Sequence, residues 1–166
     1  SFNNGSHLQA GAVLRNMYYN DEIKDKDRIV TGWGASLSGI WQFTEETSFR
    51  FQGVYGKGIS NYIQDISGIG LDLVPSTTSE GKLKAFNAWG GYCAFSHNWC
   101  ETLSSNIMYS YTRVLDQYGM PATSYKYAQY AAVNLFWNFS EYGSCALEYV
   151  FGRRNDFNKD YGNASR

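Results

Sequence analysis

Long apolar runs are missing from this 166-residue chain. No stretch approaches the ~18 consecutive apolar residues of a membrane helix, so a helical membrane protein is excluded. Histidine is scarce, with His7 and His97 alone, which leaves little for a Ser-His-Asp or Cys-His arrangement. The 3 cysteines (Cys93, Cys100, Cys145) are odd in number and lack ligand spacing, so neither a disulfide framework nor a zinc site follows. Charged residues are only 17%, with a net charge of −1 and a pI near 6.1, which removes the positive field that nucleic acid requires. Proline occurs twice. What is present is aromatic: 14 Tyr, 10 Phe and 5 Trp, within a hydrophobic fraction of 43% that excludes disorder.

The dominant signal is period two, the pleat of a strand. From Ile29, the odd positions Thr31, Trp33, Ala35, Leu37, Gly39, Trp41 and Phe43 oppose Val30, Gly32, Gly34, Ser36, Ser38, Ile40 and Gln42. Phe49, Phe51 and Tyr55 oppose Arg50 and Gln52 in the same way. Later, Ala131, Val133, Leu135 and Trp137 oppose Asn134 and Asn138, and Leu147, Tyr149 and Phe151 oppose Glu148 and Arg154. The opening segment sets Leu8, Ala10, Ala12 and Leu14 against Gln9, Gly11, Val13 and Arg15. About seven strands are predicted, at residues 7–19, 28–43, 48–58, 83–97, 102–114, 125–138 and 143–154. The faces of 83–97 stay open, because Trp89, Cys93 and Phe95 compete with Phe86, Ala88, Tyr92 and Ala94. Most of these strands exceed the ~9–11 residues that cross a bilayer at a tilt.

Short connections (44–47, 97–101, 139–143) alternate with long polar ones (20–27, 57–82, 115–124, 155–166). An antiparallel up-and-down transmembrane β-barrel predicts that order, with tight turns at one rim and elaborate loops at the other. Aromatic rings gather at both strand ends, as two membrane interfaces favour. Trp41, Phe43, Phe49, Trp99, Trp137, Phe139 and Tyr142 lie beside the short turns, and Tyr18, Tyr19, Tyr55, Tyr111, Tyr125, Tyr127 and Phe151 near the long loops.

Catalytic and metal motifs do not emerge. Gly32-Trp33-Gly34 and Gly53–Gly58 fit no phosphate-loop pattern and read as thinning of an inner wall or easing of barrel curvature. The acids Asp21, Glu22, Asp25 and Asp27 are interleaved with Lys24, Lys26 and Arg28 and read as a solvated loop without calcium. No enzyme, cofactor or metal is expected. If the bulky face meets lipid, Arg15, Arg50, Gln52, Asn106, Thr112, Asn134, Glu148 and Arg154 point into a lumen. Three arginines against one glutamate make that lumen attractive to anions.

Several stretches resemble the DcaP-like outer-membrane porins of Gram-negative bacteria. They are Gly53–Asp65, Leu83–Tyr92, Tyr125–Trp137 and Leu147–Arg154, with Gly58-Ile-Ser-Asn-Tyr-Ile63 and Glu148-Tyr-Val-Phe-Gly-Arg-Arg154 the most specific. The resemblance implies a homotrimer of antiparallel barrels in the outer membrane, passing small dicarboxylate-like anions, with membrane lipid as its surroundings. It adds Arg153 beside Arg154 as a basic pore position, and makes 57–82 a candidate for folding into the pore. An odd strand number departs from the even count of bacterial barrels. The expectation is therefore one barrel domain over 1–166 that lacks N-terminal strands and the last C-terminal strand. The competing expectation is a soluble lipocalin-like barrel, with Trp33, Leu135 and Leu147 turned inward around an apolar ligand and Arg50, Asn134 and Glu148 in water.

Overall fold

The computed structural model describes residues 5–76, 81–115, 120–158 and 160–166. Eight strands form one sheet: β1 (His7–Asp21), β2 (Lys26–Gln42), β3 (Thr47–Lys57), β6 (Asn87–Cys100), β7 (Leu103–Val114), β8 (Tyr125–Ser140), β9 (Gly143–Asp156) and β10 (Tyr161–Ser165). Two short strands, β4 (Leu73–Pro75) and β5 (Leu83–Ala85), make a separate hairpin inside the β3–β6 connection. Each strand of the large sheet pairs antiparallel with its successor in chain order, so the expected up-and-down meander is what forms. Its short turns hold themselves. At residues 43–46 the Thr44 hydroxyl accepts from the Glu46 amide at 3.2 Å and donates to the Glu46 carboxylate at 2.7 Å.

Three boundaries differ from the sequence expectation. Residues 20–27 are not a long loop, because β1 and β2 stay paired to Asp21↔Lys26 and turn over 22–25. Polar cross-strand pairs carry the ladder past its apolar part: Asn20 donates to Asp27 at 3.1 Å and Arg28 to Asp21 at 2.7 Å. Residues 155–166 likewise hold a strand, β10, whose Tyr-Gly-Asn-Ala-Ser sequence shows no alternation by which to find it. The predicted strand 83–97 breaks at Phe86, whose amide donates to Asp72 O at 3.0 Å and whose carbonyl accepts from Gly58 N at 2.7 Å. Of the predicted long connections, 77–80 and 116–119 lie outside the described residues.

Register fixes two faces. One carries Leu14, Trp33, Leu37, Trp41, Phe49, Tyr55, Trp89, Phe95, Ile107, Tyr111, Val133, Leu135, Leu147 and Tyr149. It faces outward and is bare: Trp33 is 40% exposed, Leu135 41% and Leu147 75%. That overturns the lipocalin-like expectation, which needs these three side chains in an enclosed interior. The segment between β3 and β6 lies on the other face, so the core sits between it and the sheet. There Ile59, Ile63, Ile66, Leu71, Val74 and Phe86 pack on Ala88, Val114 and Tyr125. Residues 87–97 divide accordingly, Ala88, Gly90, Tyr92 and Ala94 on the covered face and Trp89, Cys93 and Phe95 on the apolar one.

The apolar face is banded. Near the short turns Trp41, Phe43, Phe49, Trp99, Trp137 and Phe139 all lie on it, with ring contacts such as Phe43–Phe95 at 6.4 Å and Trp137–Phe139 at 5.6 Å. At the other end Trp33–Tyr55 (5.8 Å), Trp89–Tyr111 (5.1 Å) and Tyr111–Tyr127 (5.6 Å) run across β2, β3, β6, β7 and β8. Tyr19 and Tyr125 do not join this band. They turn to the covered face, where the Tyr19 hydroxyl accepts from Leu83 N at 2.9 Å and the Tyr125 hydroxyl donates to Thr112 O at 3.2 Å.

Candidate functional site

The covered face owes its shape to small residues. Gly32, Gly34 and Gly56 lie side by side under the β3–β6 segment, and a Cβ on Gly34 would stand 3.0 Å from the Ile59 side chain. At Gly32, Gly34 and Gly56 the expected thinning of the inner wall is where the segment seats, whereas Gly53 lies on the apolar face. Gly58, at φ +63, turns the chain off β3, and two short 3-10 turns follow at Ser60–Tyr62 and Gln64–Ile66.

Two carboxylates anchor the segment to two separate strands, β1 at the edge of the sheet and β7 in its middle. Asp72 accepts from Ser60 N and Ser60 Oγ, both at 2.8 Å, through one oxygen. Its other oxygen accepts from Arg15 Nη1 on β1 at 3.0 Å, and the same guanidinium donates to Gly58 O at 3.3 Å. Arg15 also stands over the Tyr62 ring, 5.8 Å from its centroid. Four strands away, Asp65 accepts from the Thr112 hydroxyl on β7 at 2.7 Å. Between these anchors a cavity of about 580 Å³ opens against β3, β6, β7 and β8, with Gln52, Tyr62, Gln64, Asp65, Tyr92 and Tyr130 in its wall. A neighbouring space of about 540 Å³ runs from Asp65 and Tyr125 to Arg154.

The sequence-predicted positions separate into three groups. Register puts Arg15, Arg50, Gln52, Asn106, Thr112, Asn134, Glu148 and Arg154 on the covered face together. Arg153 is divided from them: neighbours in a strand point to opposite sides, so Arg153 pairs with Gln129 on the apolar face and packs over the Tyr161 ring at 4.7 Å. Among the arginines on the covered face, Arg15 is held by Asp72 and Arg154 by Asp156 at 3.0 Å, beside the Tyr125 ring. Arg50 is exposed and has no carboxylate within ion-pair distance among the described residues. Towards the short turns a polar row crosses three strands, with Asn106 donating to Asn134 at 2.9 Å and Asn134 to Glu148 at 3.5 Å.

Sequence reasoning missed Asp72, Asp65, Ser60 and the tyrosines of the cavity wall. Tyr130 occupied a polar-face position in an alternating stretch and was findable by parity; the acids of the connecting segment carried no such signal. Among the described residues no group of three or more His, Cys, Asp or Glu could hold a metal, and Cys93, Cys100 and Cys145 are free.

A meander with a bare apolar face, two aromatic bands and a segment folded onto its inner side is the wall of a porin-like transmembrane β-barrel. No protein-family model matches the chain, and no curated protein matches it in sequence. Among solved structures, the crystal structure of the outer membrane channel DcaP of Acinetobacter baumannii is similar, with a TM-score of 0.71 at 17% identity. The match covers 95% of this chain and 44% of that channel, so the chain spans less than half of its length. The fold is therefore DcaP-like.

Proposed function

We propose that this chain forms wall and inner segment of an outer-membrane diffusion channel for small polar solutes, with a preference for anions. The observation that carries this reading is the apolar face between its two aromatic bands, where the described strands present no Asp, Glu or Lys and one Arg, Arg153, which lies one row inside the Tyr127 band and stacks over the Tyr161 ring. The bands lie eight residues apart from Trp33 to Trp41 and ten from Tyr127 to Trp137. At ~3.3 Å per residue and a tilt near 40° that is roughly 20–25 Å, the height of the apolar belt of a membrane barrel. An exposed apolar surface of that size, whose one arginine stands at its rim, has hydrocarbon as its natural solvent.

The covered face then borders the passage. Arg50 supplies its unpaired positive charge, while Arg15 and Arg154, each beside a carboxylate, contribute less. Gln52, Asn134 and Glu148 complete its polar lining. DcaP is an outer membrane channel; its likeness supports an outer-membrane location and a barrel completed by further strands, and a homotrimer is the assembly we propose. The test uses the full-length protein, which stays monodisperse only in detergent and conducts in planar bilayers with a reversal potential favouring chloride. Arg50→Ala cuts the anion preference at least twofold, and Arg154→Ala changes it less. A protein monodisperse in plain buffer, or an Arg50→Ala channel with unchanged reversal potential, overturns the membrane reading or the anion reading respectively.

A further inference from the structure

The apolar face is broken at one place. On β3 and β6, Gly53 and Gly91 stand opposite one another, flanked by Leu37 on β2 and Tyr111 on β7. Where neighbouring rows carry large side chains, these two strands carry none, and a trough of about 990 Å³ results. Tyr55 and Trp89 close it towards the long connections, while Cys93 and Tyr109 close it towards the short turns. Gly91 has no alternative residue, since a Cβ there would stand 2.6 Å from Gln52 O; Gly53 has open space around it.

One step beyond the trough, on the same face, come two cations. Lys57 follows Tyr55 on β3, and Arg113 follows Tyr111 on β7; both are exposed, and neither forms an ion pair among the described residues. The other end of the sheet has the opposite character. Its short turns carry Glu45, Glu46, Glu101 and Glu141 and no Lys or Arg. An amphiphile lying in this trough therefore meets positive charge at one end only, and an anionic head is attracted there and repelled at the other. Lys and Arg at the edge of an apolar belt extend to the phosphate level, where a guanidinium fork fits phosphate oxygens.

We propose that the trough and its two cations bind one phosphorylated, acylated membrane lipid. An acyl chain lies on the Gly53–Gly91 floor and the phosphate sits between Lys57 and Arg113. This rests on the membrane reading above, and because long loops of such barrels are extracellular, the lipid belongs to the outer leaflet.

Native mass spectrometry of the full-length protein in detergent tests it, with lipid A as the anionic probe and dimyristoyl-phosphatidylcholine as the zwitterionic one. The expected result is a lipid A adduct at concentrations at least tenfold below those needed for phosphatidylcholine. Lys57→Ala with Arg113→Ala loses that tenfold advantage. Gly53→Leu, which fills the trough without moving backbone, weakens both lipids while channel conductance stays at the wild-type value. Equal retention of the two lipids by the wild type, or unaltered lipid A adducts in both variants of a conducting protein, overturns the site and leaves the channel reading standing. A protein that does not conduct overturns the channel reading instead.

Discussion

At the residue level, the instructive groups are charges that the fold uses up. Asp21, at the tip of the β1–β2 hairpin, is 2% exposed, and the Arg28 guanidinium donating to it holds its carboxyl below the usual carboxylate range. Burial pulls the other way and is the weaker influence. A carboxyl whose folded pKa is depressed stabilises the fold above its unfolded value, near 4, and loses that stabilisation as pH falls through the folded value. Thermal unfolding in detergent should therefore show a midpoint that drops on acidification below about pH 4. In Asp21→Asn that midpoint should be lower at neutral pH and flatter across the same window; an unchanged acid limb sinks the assignment. Arg15 and Arg154 follow the same logic, their charges spent on Asp72 and Asp156. Parity alone found both arginines, because side-chain direction is a local property of a strand. It could not find their partners. Asp72 lies 57 residues from Arg15, in a segment with no periodic pattern. Arg153 marks the converse, since a likeness between sequences carried it to the pore and the alternation of its own strand puts it on the apolar face.

Strands were the legible elements wherever one face was bulky and the other small, as in Ile29–Phe43 and Ala131–Trp137. Legibility failed where the contrast failed. Around Phe86 and Ala88 the inner positions are apolar too, because the β3–β6 segment buries them, so both faces of that stretch looked hydrophobic. The β4–β5 hairpin and β10 are three to five residues long, too short for alternation to register. For the long strands the two-face reading makes a sharp forecast on β9, where Leu147 and Glu148 are adjacent. Leu147→Arg puts a charge on the belt one row inside the Trp137 band and should cost about 1–2 kcal/mol of folding into lipid vesicles. Glu148→Arg, one residue on, should stay within about 0.5 kcal/mol, as a surface change does. Equal costs at both positions would mean that the faces are not solvated differently.

Across the whole molecule, the segment that leaves β3 and returns as β6 touches β1 through Asp72 and β7 through Asp65. Removing the first anchor leaves the Ser60 amide and hydroxyl and the Arg15 guanidinium without their carboxylate. Asp72→Ala should cost about 1–3 kcal/mol, the penalty for stranding buried polar groups, and it should widen the passage. Single-channel recordings then show a larger and noisier conductance; a wild-type trace would mean that the segment does not border the conducting path. There is also a geometric corollary. A strap of fixed length tied to β1 and to β7 limits how strongly the five strands from one to the other may flatten. Any flattening there must stretch the link at Asp72 or the one at Asp65, so a piece of chain outside the sheet restrains the curvature of five of its strands.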